Sequence, residues 1–103
     1  MTPDLVFVRF FPKPGKESQV ANILNNMVVN TRTEPGCQVY DLYQTTTASG
    51  EKAFCLIEKY ADEPALLAHR AAQYYKDYRA TIMDLLAQPI DVTLMEAVDV
   101  VAS

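Results

Sequence analysis

The stretch Leu5 to Phe11 reads Leu-Val-Phe-Val-Arg-Phe-Phe, and both of its alternating faces are apolar. One phase carries Val6, Val8 and Phe10; the other carries Leu5, Phe7 and Phe11, with Arg9 among them. β-Branched and aromatic residues at this density predict a strand over Asp4 to Phe11. A strand with one side in water alternates apolar and polar residues. This one does not. Nor does Lys52 to Tyr60, where Phe54 and Leu56 fall on one side and Cys55 and Ile57 on the other. A sheet made of such strands has to be covered on both faces, which limits the architectures open to the chain.

The rest of the chain shows what is available for covering. Pro12-Lys13-Pro14-Gly15 ends the first strand. Residues 16–33 then place Val20, Ile23, Leu24, Met27 and Val28 on one face of an amphipathic helix, with Glu17 at its dipole-favoured start. Glu34-Pro35-Gly36 stops it. Cys37 to Thr46 and Lys52 to Tyr60 form a strand pair around a turn at Ala48-Ser49-Gly50. Asp62 is placed to cap a second helical region, and Pro64 sits in its first turn. Leu66, Leu67, Tyr74, Tyr78, Ile82 and Leu85 carry its apolar stripe to about residue 87, with room for a break after His69. Ile90 to Val100 makes the last strand.

The order is β-α-β-β-α-β. Right-handed crossovers turn that order into an α+β, ferredoxin-like fold: a four-stranded antiparallel sheet with two helices on one face. The 103 residues make a single domain, 1–103, and leave nothing to cover the second face. Two sheets packed face to face in a homodimer would cover it.

Charge and residue counts exclude several function classes. A net charge of −4 and a pI near 4.8 argue against nucleic acid and against an anionic membrane surface. The glycines Gly15, Gly36 and Gly50 are too scattered for a phosphate-cradling loop. His69 is the single histidine, and Asp84, Asp91, Glu96 and Asp99 are spread over two elements, so no metal site is expected. No apolar run approaches the roughly 20 residues of a membrane span. Met1-Thr2-Pro3-Asp4 lacks the features of a signal peptide, so the expected location is cytoplasmic. In the expected hairpin, partners sum to about 98, placing Cys37 opposite residue 61 and leaving Cys55 roughly 20 Å out of register. A disulfide needs Cα atoms within about 7 Å, so both cysteines are expected to be thiols.

Several residues carry a resemblance. Lys13-Pro14-Gly15-Lys16-Glu17 follows the first strand, and Thr31-Arg32-Thr33-Glu34-Pro35-Gly36-Cys37 leads into Tyr40-Asp41-Leu42-Tyr43. Phe54, Glu58, Tyr60, Asp62, Ala65-Leu66 and Ala68-His69 follow in order. This ordered set, over residues 4–98, resembles the antibiotic biosynthesis monooxygenase (ABM) domain family, especially its quinol monooxygenase branch. The resemblance implies a dimeric α+β barrel. It also implies an oxidoreductase that converts a small phenolic or quinol-type aromatic substrate with O₂ and no cofactor. The family also contains a phospho-sugar isomerase of autoinducer-2 breakdown, haem-degrading enzymes and members without known activity. The haem-degrading reading fits least: there is no Trp, and Val8 stands where that branch has Asn ahead of the strand arginine.

His69 is the candidate catalytic base, matching the family's histidine in Ala-Leu-x-x-His. Deprotonating a phenol makes it able to give an electron to O₂, and an imidazole is the side chain suited to that near neutral pH. A structural histidine at a helix end is the equally weighted alternative. Tyr74 stands where the family often has a second His. Tyr74 or Tyr75, one turn from His69, is a candidate pocket residue, while Tyr78 reads as core. Arg9 and Glu58 interrupt apolar strands and read first as a structural ion pair, then as substrate contacts, with Tyr60 beside them. For the isomerase reading, Arg9 or Lys59 would hold phosphate. Cys37 and Cys55 are poor nucleophile candidates, having no histidine or helix N-terminus nearby. An apolar pocket would favour a quinol; two or more convergent basic groups would favour a phosphate.

Overall fold

The computed structural model describes residues 3–101. Four strands, β1 (Leu5–Phe10), β2 (Cys37–Thr46), β3 (Lys52–Tyr60) and β4 (Asp91–Met95), form one antiparallel sheet in the order β2-β3-β1-β4. Three helices, α1 (Glu17–Thr31), α2 (Glu63–Ala71) and α3 (Gln73–Ile82), complete the ferredoxin-like arrangement. A 3₁₀ turn at Met83–Leu85 extends α3.

The helical side of the sheet is the apolar phase of β1 with its cross-strand partners. Val6, Val8 and Phe10 lie opposite Glu58, Leu56 and Phe54 of β3. Against them pack Val20, Leu24 and Met27 of α1 and Tyr78 and Ile82 of α3, all buried. Ile23 and Val28 flank the α1 stripe and are partly covered, as their spacing requires. Leu67, expected in the apolar stripe of the second helical region, is instead 55% exposed; α2 buries Leu66 and His69 on its inner side.

The helical region after Asp62 does break after His69. Ala72 adopts an extended conformation (φ −64°, ψ 142°), and its N–H closes α2 on the His69 carbonyl at 3.2 Å. The Asp62 side chain caps α2, accepting from the Ala65 N–H at 2.9 Å. Gly36 lets α2 come this close to the α1–β2 loop: a Cβ there would run into the Ala65 methyl.

Two strand expectations need correction. β4 stops at Met95 and does not continue to Val100. Its partner β1 begins at Leu5, so the ladder runs out: the Asp4 N–H bonds the Met95 carbonyl and Asp4 Oδ2 takes the Ala97 N–H. In β2 the hairpin pairs Val39 with Lys59 and Tyr40 with Glu58, but Cys37 faces Tyr60 rather than residue 61, because a bulge between Cys37 and Val39 takes up one residue. Cys55 lies opposite Tyr43, in agreement with two separate thiols.

The other sheet face carries Leu5, Phe7, Cys55, Ile57 and Met95, and no helix among the described residues covers it. Phe7 and Ile57 are half-buried and Tyr43 is exposed.

Candidate functional site

The bulge in β2 and the break between α2 and α3 decide what surrounds His69. Downstream of the bulge, Tyr40 lies beside Glu58 on the helical side of the sheet. The break turns α3 so that Tyr75 and Tyr78 return over the end of α2. His69 is 2% exposed and sits among aromatic rings, with centroids 5.0 Å away for Tyr75, 5.3 Å for Tyr60, 5.7 Å for Tyr40 and 6.5 Å for Tyr74.

Glu34, in the loop that Gly36 allows against α2, meets His69 Nδ1 at 3.0 Å through Oε2. An ionised carboxylate only accepts, so Nδ1 carries the proton and Nε2 is left as the basic nitrogen. Nε2 makes no hydrogen bond among the described residues. A histidine oriented by a carboxylate and left with one free nitrogen is arranged as a general base.

A cavity of about 250 Å³ opens beside this pair, between the sheet and the α2–α3 elbow. Val6, Val8 and Val92 form its sheet wall, and Tyr40, Tyr75 and Tyr78 its aromatic walls. Its polar groups are Glu58, His69, Arg70 and Arg79. Glu58 is 6% exposed and accepts a 2.6 Å hydrogen bond from the Tyr60 hydroxyl. Burial pushes the Glu58 carboxyl above its ordinary range, against the opposing pull of Tyr60, His69 and Arg70. Burial, and then the charge of Glu58, push the Tyr60 hydroxyl up as well, so it remains a donor.

The cavity therefore joins His69, Glu58 and Tyr75, with Tyr60 acting through Glu58. Tyr74 stands apart: its ring meets His69 edge-on, but it lines a separate cleft toward α1, and its hydroxyl is buried without a hydrogen-bond partner among the described residues. Tyr78, expected as core, is both core and wall. Arg9 keeps its first reading, a structural ion pair, and loses the second, a substrate contact in this cavity. It points to the opposite sheet face and is exposed there, with Nε 2.9 Å from Asp91 Oδ2, so it cannot anchor a ligand in this cavity. Its ion-pair partner is Asp91 of the neighbouring strand, not Glu58. Lys59 also faces away, in a crevice near Leu5 and Met95. Burial pushes the Cys37 thiol up to about 11, with Glu34 and Glu58 adding to it, and burial raises Cys55 too; neither is a nucleophile at neutral pH.

Glu34, Arg70 and Arg79 were not expected at the site. Arg70 lies one turn from Leu66 and Arg79 one turn from Tyr75, and that i, i+4 spacing was the available signal. Glu34 had none, since its position depends on how the loop folds. Among the described residues, no three His, Cys, Asp or Glu side chains group as metal ligands.

The family model for antibiotic biosynthesis monooxygenases matches residues 5–81. The chain belongs to the antibiotic biosynthesis monooxygenase family. A Mycobacterium tuberculosis relative named "Putative monooxygenase Rv0793" is 38% identical over 98 residues, covering 95% of this chain and 94% of that one. The structure of Rv0793 superposes with a TM-score of 0.85 over 98% of this chain and 100% of that one, at 37% identity. The Bacillus subtilis protein named "Putative monooxygenase YcnE" is 30% identical over 82% of this chain and 86% of its own length. A crystal structure titled as an antibiotic biosynthesis monooxygenase gives a TM-score of 0.80 at 30% identity, over 92% of this chain and 98% of that one. Among the described residues, no helix is long and apolar enough to cross a membrane.

Proposed function

We propose that this ABM protein is a cofactor-independent monooxygenase of a small phenolic or quinol-type aromatic, with His69 as the base. The observation that carries this reading is the His69–Glu34 pair, buried at the edge of a cavity with aromatic and valine walls. His69 Nε2 takes the phenolic proton. The phenolate gives one electron to O₂, and the resulting radical pair combines at a ring carbon to form a C–O bond. Loss of the ring C–H proton and of hydroxide, reprotonated through His69, leaves a quinone carbonyl and water. Per phenol, one oxygen atom stays on the ring and one leaves as water, and all four electrons come from the substrate. Water-poor walls protect the radical pair. Glu58, held by Tyr60, orients a substrate oxygen, and Tyr75 stacks on or borders the ring.

The protein acts as a cytoplasmic homodimer in this reading, with the uncovered sheet face paired to its copy and both thiols reduced. Oxygen uptake with a panel of dihydroxy-aromatics tests the activity, with one ¹⁸O atom from labelled O₂ expected in the product. Absence of uptake across the panel removes the oxygenase reading.

Arg70 and Arg79 favour a second reading, isomerisation of a phosphorylated carbonyl sugar with His69 shuttling the proton, because both are basic groups converging on one cavity. Turnover of sugar phosphates without oxygen uptake would establish it. Binding of either class without turnover would leave a small-ligand-binding protein.

A further inference from the structure

The chain has four arginines, and they divide by environment. Arg9 pairs with Asp91 and Arg32 with Asp41. Arg70 and Arg79 have no ion-pair partner among the described residues, and both line the cavity beside His69. They come from different helices, and the break at Ala72 brings them to one mouth. Arg79 is not free to sweep through solvent. Its guanidinium lies 5.9 Å from the Tyr75 ring centroid and donates to the Tyr75 hydroxyl at 3.3 Å.

We propose that the cavity takes an aromatic ring bearing a carboxylate, with Arg70 and Arg79 anchoring the carboxylate while the ring lies between the valine wall and Tyr75. The inference rests on the cavity being the substrate site, as in the oxygenase reading. Two guanidiniums beside the valine and tyrosine walls supply charge-assisted, fork-shaped donors that match a planar carboxylate. Glu58, the buried acid in the same cavity, is raised by its burial and so opposes an anion less than an exposed carboxylate would. Phosphate would suit the arginines too, but the sugar it carries would leave hydroxyls unpaired against Val6, Val8 and Val92. The volume, near 250 Å³, lies below the about 300–1,000 Å³ of drug-sized pockets and suits one or two rings.

The test is anaerobic calorimetric titration of the full chain with hydroquinone, 2,5-dihydroxybenzoate, inorganic phosphate and ribose 5-phosphate. The carboxylated ring should bind at least tenfold tighter than hydroquinone, and the ratio should shrink as salt rises. In Arg70→Gln and in Arg79→Gln the ratio should fall toward one, with Arg79→Lys, which keeps charge but not the fork, in between. Equal affinity for the two rings in wild type overturns the proposal, as does a ratio that survives both glutamine variants. Tighter binding of ribose 5-phosphate than of the aromatic acid overturns it in favour of a sugar phosphate. The readout is binding without turnover, so it separates the two claims. A preserved ratio with no oxygen uptake removes only the oxygenase reading, and uptake with neutral quinols at a ratio of one removes only this inference.

Discussion

Glu34 and His69, 35 positions apart in the chain, meet at 3.0 Å with His69 almost wholly buried. The pair ties the loop before β2 to the end of α2 through Nδ1, while Nε2 makes no hydrogen bond among the described residues. Replacing His69 by Ala should preserve the fold and cut turnover of any substrate by about 10²–10⁴. Glu34→Gln should fall between this variant and wild type, because an amide oxygen still accepts from Nδ1 but without full charge. Steady-state rates beside circular dichroism check both. Wild-type turnover in His69→Ala would make the histidine structural and bring Tyr75 forward as the proton acceptor.

The Glu58 carboxyl makes a stability prediction with a definite sign. Its folded pKa is raised, so the folded protein holds this proton to higher pH than the unfolded chain does. Its contribution to stability is therefore full below the ordinary carboxyl range, near pH 4, and is lost as pH rises through the raised folded value. Glu58→Gln keeps an acceptor for Tyr60 and does not titrate. It should melt higher than wild type at pH 7–8, with the difference shrinking toward pH 4, and should lose turnover. Thermal melts across that pH range read the first part. A variant less stable than wild type at pH 8 would contradict burial as the dominant influence on Glu58.

Gly36→Ala should destabilise by about 1–3 kcal/mol, since its methyl group and that of Ala65 compete for one space. Ala65→Gly in the same chain should recover part of the loss. Independent, additive effects in denaturant titrations would show that the loop does not press on α2.

On α1, Leu24→Ala should cost about 2–5 kcal/mol, because Leu24 is fully buried in mid-stripe. Leu67→Ala on the outer side of α2 should change stability by no more than about 0.5 kcal/mol. Comparable losses at both positions would mean that α2 is rotated.

Sedimentation of the wild type at micromolar concentration should show a dimer, and Phe7→Lys, which charges the uncovered sheet face, should sediment as a folded monomer. A wild type that is monomeric and stable would leave that face without its proposed cover.

The elements themselves were legible because their signals are local. β2 and β3 follow from alternating residues around a turn, and α1 follows from one stripe at 3.6-residue spacing. The length of β4 was not, because Glu96 to Val100 stays apolar enough for a strand while its partner β1 begins only at Leu5, opposite Met95. His69, Glu58 and Tyr75 could be picked out by residue type and spacing. That Arg9 makes an ion pair was legible, but its exposure was not: a charge in an apolar strand suggests burial, whereas its phase puts it on the uncovered face beside Asp91. Glu34 was invisible, since a loop residue reaches a helix 35 positions later only through tertiary packing, as was the choice of Tyr75 over its neighbour Tyr74.

The bulge between Cys37 and Val39 settles a mismatch of counting. From Val39 onward, positions in β2 are set by the hairpin, which keeps Tyr40 level with Glu58. Before it, positions are set by where α1 ends and by Gly36 against Ala65, which keep Glu34 level with His69. The two rulers disagree by one residue, and the bulge absorbs the difference. The acid that holds His69 and the ring that walls the cavity are thereby placed by separate rulers, so a one-residue change in the loop can be taken up without turning Tyr40 to the far side of the sheet.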